Sequence, residues 1–413
     1  MNSKRIPRSF SAPAALACVA AFILFTTWFG IPLRAQAPAG PNRPAGVPEG
    51  FVITPFGYFH PSCVLHLAEG DKALTDESAI QHLNGLRENI AACDYPHYTS
   101  RGKIADARAA SVRPPEDDGW IESASVATNS SYGKLVATWT VPPAPISNDG
   151  QIVYFFPGME DDDDVVTIIQ PVLGWNMDGT GGAAWSIASW NCCYSGNIWE
   201  STPVGVNSTD TIVGTIASTC GAGTLSCSEW NITTYDETSG KGTTLSNSPS
   251  DGQTFDWAQS GVLEVHHVAQ CSDYPPSGKL TFYNVALEDN NFQLISNPGW
   301  SADFWAGDET PQCNFGVQTT ATTATLFFGV PETLTVQVEG YASGPSVTSS
   351  PAGINAGSDG YFSANFTQGT VVTLTATHGS GDTFAGWGGA CSGNQATCTV
   401  TMNAAKSVNA TFF

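Results

Sequence analysis

Charged side chains are scarce in this chain of 413 residues, at 13% about half the usual share. Cations are scarcer still. Lys and Arg together number 15 against 37 Asp and Glu, a formal net charge of −22. A polyanion gains nothing by approaching phosphates, which excludes nucleic acid and anionic membrane surfaces as partners. There is no Gly-Xaa-Ser-Xaa-Gly elbow and no Gly-rich phosphate loop ahead of a helix, so an α/β-hydrolase nucleophile and a nucleotide cradle are not expected. No Cys-Xaa-Xaa-Cys pair or clustered His/Cys spacing offers zinc a site, and no cofactor is called for. After residue 37 no stretch is apolar enough to span a membrane.

What is abundant points one way. Hydrophobic residues make up 41% and aromatics 11%, enough for a core, while 42 Gly and 26 Pro suit short strands joined by many turns rather than helix bundles. The chain opens as an address: Lys4, Arg5 and Arg8, an apolar run from Ala12 to Leu33, then the small-residue site Ala35-Gln36-Ala37. This predicts a secretory signal peptide over 1–37, leaving a soluble, secreted chain with no membrane contact after cleavage. Ten cysteines remain beyond Cys18, an even set that reads as disulfides in an exported protein. Short loops favour Cys63–Cys93, Cys220–Cys227 and Cys391–Cys398, with Cys192 and Cys193 pairing with Cys271 and Cys313 in either order.

Composition then divides the mature chain into three parts. Residues 38–118 hold seven of its eleven Lys and Arg. They also hold a helix signal, with Thr75 as cap and Ile80, Leu83, Leu86 and Ile90 at helical spacing. A Pro-rich stretch, Arg113 to Asp118, closes the segment like a linker, and the segment reads as a propeptide or lid held by its basic clusters Arg101, Lys103 and Arg108. Residues 119–325 alternate as strands: Lys134–Val141, Ile152–Phe156, Val165–Ile169, Thr211–Ile216, Trp230–Tyr235, Val262–Val268 and Leu280–Val285. Many short strands with turn signals and little helix indicate an all-β antiparallel sandwich. Residues 332–413 form a small C-terminal β unit, with Leu334–Val338, Val371–Ala376, Cys398–Met402 and Ser407–Phe412 as its strands.

Chemistry has few candidate carriers. His266 and His267 are adjacent on a strand, so they should point to opposite faces and cannot act as one metal pair. Glu160-Asp161-Asp162-Asp163-Asp164 lacks the Gly-punctuated spacing of a calcium loop and reads as a solvated acidic turn. The informative pattern is polar residues inside apolar strands: Gln170 ending Val165–Ile169, and Glu264 within Gly261–Val265. A carboxylate there must face solvent, a partner or a cleft, and burial beside apolar neighbours suits it to acid–base work at low pH.

Two resemblances follow from these residues. Ser349–Gly353, Gly369–Leu374, Phe384–Trp387 and Cys391…Cys398 resemble the internalin-B-like β-repeat of bacterial surface and secreted proteins, which implies a non-catalytic, adhesive module. Val136–Pro142, then Phe156–Glu160 leading to Ile168-Ile169-Gln170, then Gly261–Val265 resemble in order the motifs of the glutamic peptidases, the eqolisins. That resemblance implies a concanavalin-like sandwich in which Glu264 activates a water and Gln170 positions it and donates to the oxyanion, without metal or cofactor. Trp139, Trp175, Trp185 and Trp190 would line the cleft for a polypeptide substrate. The expected function is a secreted acid endopeptidase. The alternative is a secreted carbohydrate-binding or adhesive sandwich without catalytic activity, with cell-surface or glycan contacts through the C-terminal unit. A shared cleft for Gln170 and Glu264, near enough for one water to touch both, separates the two.

Overall fold

The structure, a computed structural model, describes residues 43–105, 119–161, 167–177, 182–192, 196–250, 252–305, 311–340, 344–367 and 370–413. The predicted signal peptide with its cleavage site, the Pro-rich linker at 113–118, Arg108, Asp162 to Val166 and Cys193 lie outside the described residues. Among the described residues the chain is all-β, and its only helical turns are single 3-10 turns at Pro61–Cys63 and Cys271–Asp273.

Two large sheets form a sandwich. The first has nine strands. Across it run Ser301–Phe304, Trp120–Ala127, Trp257–His266, Ile152–Glu160, Ile168–Trp175, Trp185–Cys192, Ile198–Ser201 and Val64–Leu67, with Val204–Gly205 pairing at the side of Trp185–Cys192. All of these pairs are antiparallel except the last of the row, where Val64–Leu67 lies parallel to Ile198–Ser201. The second sheet is antiparallel, with seven strands running from Lys241–Pro249 through Tyr132–Thr140 to Gly316–Thr320.

Side-chain alternation gives the first sheet two faces. Its inner face supplies Val153, Phe155, Ile169, Leu173, Ile187 and Leu263 to the core against the second sheet. That contact is close enough to need glycine. A Cβ on Gly214 of the second sheet would lie 2.6 Å from Pro171 Cγ and 2.9 Å from Trp139 Cη2. The outer face supplies a second core of Tyr154, Phe156, Ile168, Val172, Ala188, Trp190 and Val262. The N-terminal segment covers that face, contributing Val47, Ile53, Phe56, Tyr58, Phe59 and Tyr98 to the same core.

The helix expected between Thr75 and Ile90 is not formed. Lys72–Ala73, Ala79–Gln81 and Arg87–Asn89 make a small three-stranded sheet instead. Asx-type contacts compete with the helix: Asp76 accepts from the Ser78 N–H and Asn84 from the Leu86 N–H, while the more distant Asp71 accepts from the Leu83 N–H. Ile80 reaches the core and Ile90 packs partly against it, while Leu83 and Leu86 are exposed, so no continuous apolar face exists to stabilise a helix.

Among the described residues four disulfides join Cys63–Cys93, Cys220–Cys227, Cys271–Cys313 and Cys391–Cys398. Three match the short-loop expectation. Cys271 and Cys313 pair with each other rather than with Cys192 and Cys193, because the turn at Cys271–Asp273 and the chain before Gly316 meet at one end of the sandwich; Cys192 is disulfide-bonded as well. The C-terminal strands form two four-stranded sheets around a core of their own, including Leu334, Val336, Leu374, Trp387 and Phe412.

Candidate active site

The outer face of the first sheet gathers polar side chains that its apolar neighbours bury. Gln170 is fully buried in the Ile168–Trp175 strand, and neither atom of its carboxamide makes a hydrogen bond. It lies opposite Trp190, whose buried indole N–H is also unpaired. On its other side is the Ile152–Glu160 strand, paired at Phe155↔Leu173 and Met159↔Ile169. Continuing that register sets Gly158 opposite Gln170 and Pro157 opposite Pro171, two residues with no N–H to give the ladder.

One strand further on, Gly158 is opposite Gln259. Gln259 is fully buried too, with both carboxamide atoms unpaired. A Cβ on Gly158 would lie 3.0 Å from Gln259 Oε1, so the glycine leaves the space that this amide fills. Two amides thus share one row, about 10 Å apart at their Cα atoms with only a glycine between them. Glu160, buried on the same face, stands two residues beyond Gly158 and opposite both Ile168 and Trp257. It is therefore a diagonal neighbour of both glutamines, at roughly 7–8 Å between Cα atoms.

Glu264 is on this face but elsewhere on it. It is opposite Tyr154, and Tyr154 is opposite Gly174, four residues along from Gln170. At about 3.3 Å per residue the offset is roughly 13 Å along the strand, in addition to two strand spacings. This separation corrects the expected shared-water pair of Gln170 and Glu264. The register shift between Phe156 and Gly158 leaves this offset as it is and sets Gln259, rather than Ser260, opposite Gly158. Glu264 instead accepts from His266 Nε2 at 2.7 Å, with both side chains buried.

The neighbouring histidines also depart from expectation. Burial, then the charge of His267, push the His266 imidazole down to about 3. His267 has a φ of 59° and so leaves the strand rather than taking its opposite face. Its Nε2 lies 2.5 Å from the Tyr58 hydroxyl of the covering segment, and burial lowers its pKa as well.

Of the four tryptophans expected to line a cleft, only Trp190 faces Gln170. There it meets Phe56 of the covering segment edge to face at 6.2 Å. Trp139, Trp175 and Trp185 belong to the inter-sheet core: Trp139 packs on Phe282 at 5.3 Å and Trp175 on Trp185 at 5.3 Å. Trp175 is an odd number of residues from Gln170 and so takes the other face, a parity the sequence already contained. Gln259 was missed because it precedes the apolar run that begins at Gly261, and Glu160 because it opens the acidic run. Among the described residues no group of three or more His, Cys, Asp and Glu side chains could hold a metal ion.

Residues 350–413 match the family model of the divergent InlB B-repeat domain. None of the curated proteins matches the chain. Among solved structures it is similar to scytalido-glutamic peptidase with a transition-state analogue inhibitor, at 16% identity and a TM-score of 0.37, covering 51% of this chain and 98% of that one. SCP-B, an eqolisin-family peptidase in complex with the tripeptide Ala-Ile-His, matches at 15% identity and TM-score 0.36 over 51% of this chain and 98% of that one. Aspergilloglutamic peptidase from Aspergillus niger matches at 14% identity and TM-score 0.30, covering 43% and 98%.

Proposed function

We propose that this is a secreted, acid-active endopeptidase whose working site is the outer face around Gln170, kept covered in the present form by the N-terminal segment. The observation that carries the reading is the pair of fully buried, unpaired carboxamides at Gln170 and Gln259 beside the carboxylate of Glu160. An unsatisfied buried amide costs stability, of order 1–3 kcal/mol, and a row of them is the arrangement a polar substrate would satisfy. Amide N–H groups fixed in a dry site can receive the charge that develops on a carbonyl oxygen when water adds to a peptide bond. The disulfides suit an oxidising compartment, and no helix among the described residues is long and apolar enough to cross a membrane. A polypeptide is the expected substrate.

The test is digestion of casein at about pH 3–5, around the carboxylate range, by wild type and Gln170→Ala after removal or acid opening of the cover. Cleavage by wild type that falls about 100-fold or more in Gln170→Ala is expected. A second reading, a secreted adhesive or glycan-binding protein, is favoured by the match of residues 350–413 to the InlB B-repeat domain. Casein left intact by wild type at every pH would select it.

A further inference from the structure

Glu264 cannot serve Gln170 across the offset that separates them, so a hydrolytic site on this face needs another carboxylate. The register supplies one. Glu160 is on the same face, diagonal to both Gln170 and Gln259 across Gly158, whose missing side chain leaves the room that Gln259 Oε1 and Ile168 Cδ1 occupy. We propose that Glu160 is the catalytic carboxylate and that Gln170 and Gln259 together form the oxyanion cradle. The proposal rests on the hydrolytic reading of this face and names its residues.

The division of labour follows from what each group can do. A carboxylate can take a proton from water and return it; a carboxamide cannot, but it holds two fixed N–H donors at any pH. Glu160 takes a proton as the water oxygen bonds to the scissile carbonyl carbon. The carbonyl π pair moves onto its oxygen, where the amide N–H groups of Gln170 and Gln259 receive the charge. When that pair re-forms the carbonyl, the C–N bond breaks and the leaving nitrogen takes the proton back from Glu160. The products are a carboxylic acid and an amine, and Glu160 is again a carboxylate. Two donors from separate strands fix the oxyanion in two directions, which one glutamine does not. Trp190 and Trp257 border this space on either side, opposite Gln170 and Glu160. They offer apolar walls for the side chains flanking the cleaved bond.

Casein digestion at about pH 4 by the full chain, with its cover opened in acid, tests the assignment. Glu160→Gln should lower kcat/KM by about 100-fold or more, with Glu160→Asp recovering part of the loss. Gln259→Ala should lower kcat by about 100-fold with KM little changed, the mark of an interaction made in the transition state. Glu264→Gln should stay within about threefold of wild type, an illustrative bound that assigns this carboxylate no step in the chemistry. Melting temperatures of the four variants show which of them fold. Wild-type cleavage that survives in folded Glu160→Gln, or is lost in folded Glu264→Gln, overturns the assignment and leaves the hydrolytic reading standing. No cleavage by wild type at any pH removes the hydrolytic reading and the assignment with it.

Discussion

At the residue scale, His266 connects the site to pH. Its ring is buried against Tyr154 and its Nε2–H donates to Glu264, while burial holds its pKa near 3. An unfolded histidine titrates near 6.5. Between those two values the unfolded chain binds a proton that the folded ring refuses. The contribution of His266 is therefore fully present above about pH 6.5 and is lost as pH falls towards 3, at up to about 1.4 kcal/mol per pH unit. The lowered pKa of His267 acts in the same direction. Urea unfolding at pH 7, 5 and 4 should show a steeper loss of stability for wild type than for His266→Gln, which has no proton to take. Parallel losses would acquit the imidazole.

At the element scale, the Trp257–His266 strand is held close to the second sheet by a glycine. A Cβ on Gly261 would fall 2.3 Å from Cδ2 of the fully buried Phe282, and the glycine's φ is not among the positive ones, so the demand is for space rather than conformation. Gly261→Ala should cost about 1–3 kcal/mol by overpacking. Adding Phe282→Leu should return part of it, measured as the difference in melting temperature. A single variant as stable as wild type would mean that the two sheets part easily here. The same strand shows where sequence reading stops. Alternation placed the strands at Tyr132–Thr140, Thr211–Ser218, Glu229–Asp236 and Lys279–Asp289 within a few residues, because period-two burial is written in the chain itself. Parity also fixed Gln170 and Trp190 to one face, given their pairing. Register is different. Whether Gln170 shares its row with Gln259 or with Ser260 depends on one bulge near Gly158, a property of two strands' packing that neither strand's pattern contains. Leu83 and Leu86 misled for a related reason: helical spacing does not create a surface for the helix to pack on.

At the scale of the whole molecule, apolar packing and a shared sheet edge hold the N-terminal segment. Apolar packing of Val47, Ile53, Phe56, Tyr58 and Phe59 seals the outer face, and the Val64–Leu67 strand extends the first sheet. His66 pairs with Glu200 at 2.6 Å along that edge, and Cys63–Cys93 ties the segment to itself. An apolar seal does not dissolve when carboxylates protonate, so acid must act on a polar latch. The Tyr58 hydroxyl and His267 Nε2 form one, at 2.5 Å. A protonated His267 can only donate to that oxygen and places a charge against the apolar seal, and because burial lowers the ring's pKa, the latch weakens only below the usual histidine range. Incubating the precursor at about pH 4 should therefore expose the face around Gln170, raise activity on casein and yield a new N-terminus between residues 38 and 118. Tyr58→Phe, which removes the latch without unpacking the ring, should open at a higher pH than wild type. A chain that stays intact and gains no activity in acid would make the segment a permanent part of the fold, and the face beneath it inaccessible to a polypeptide.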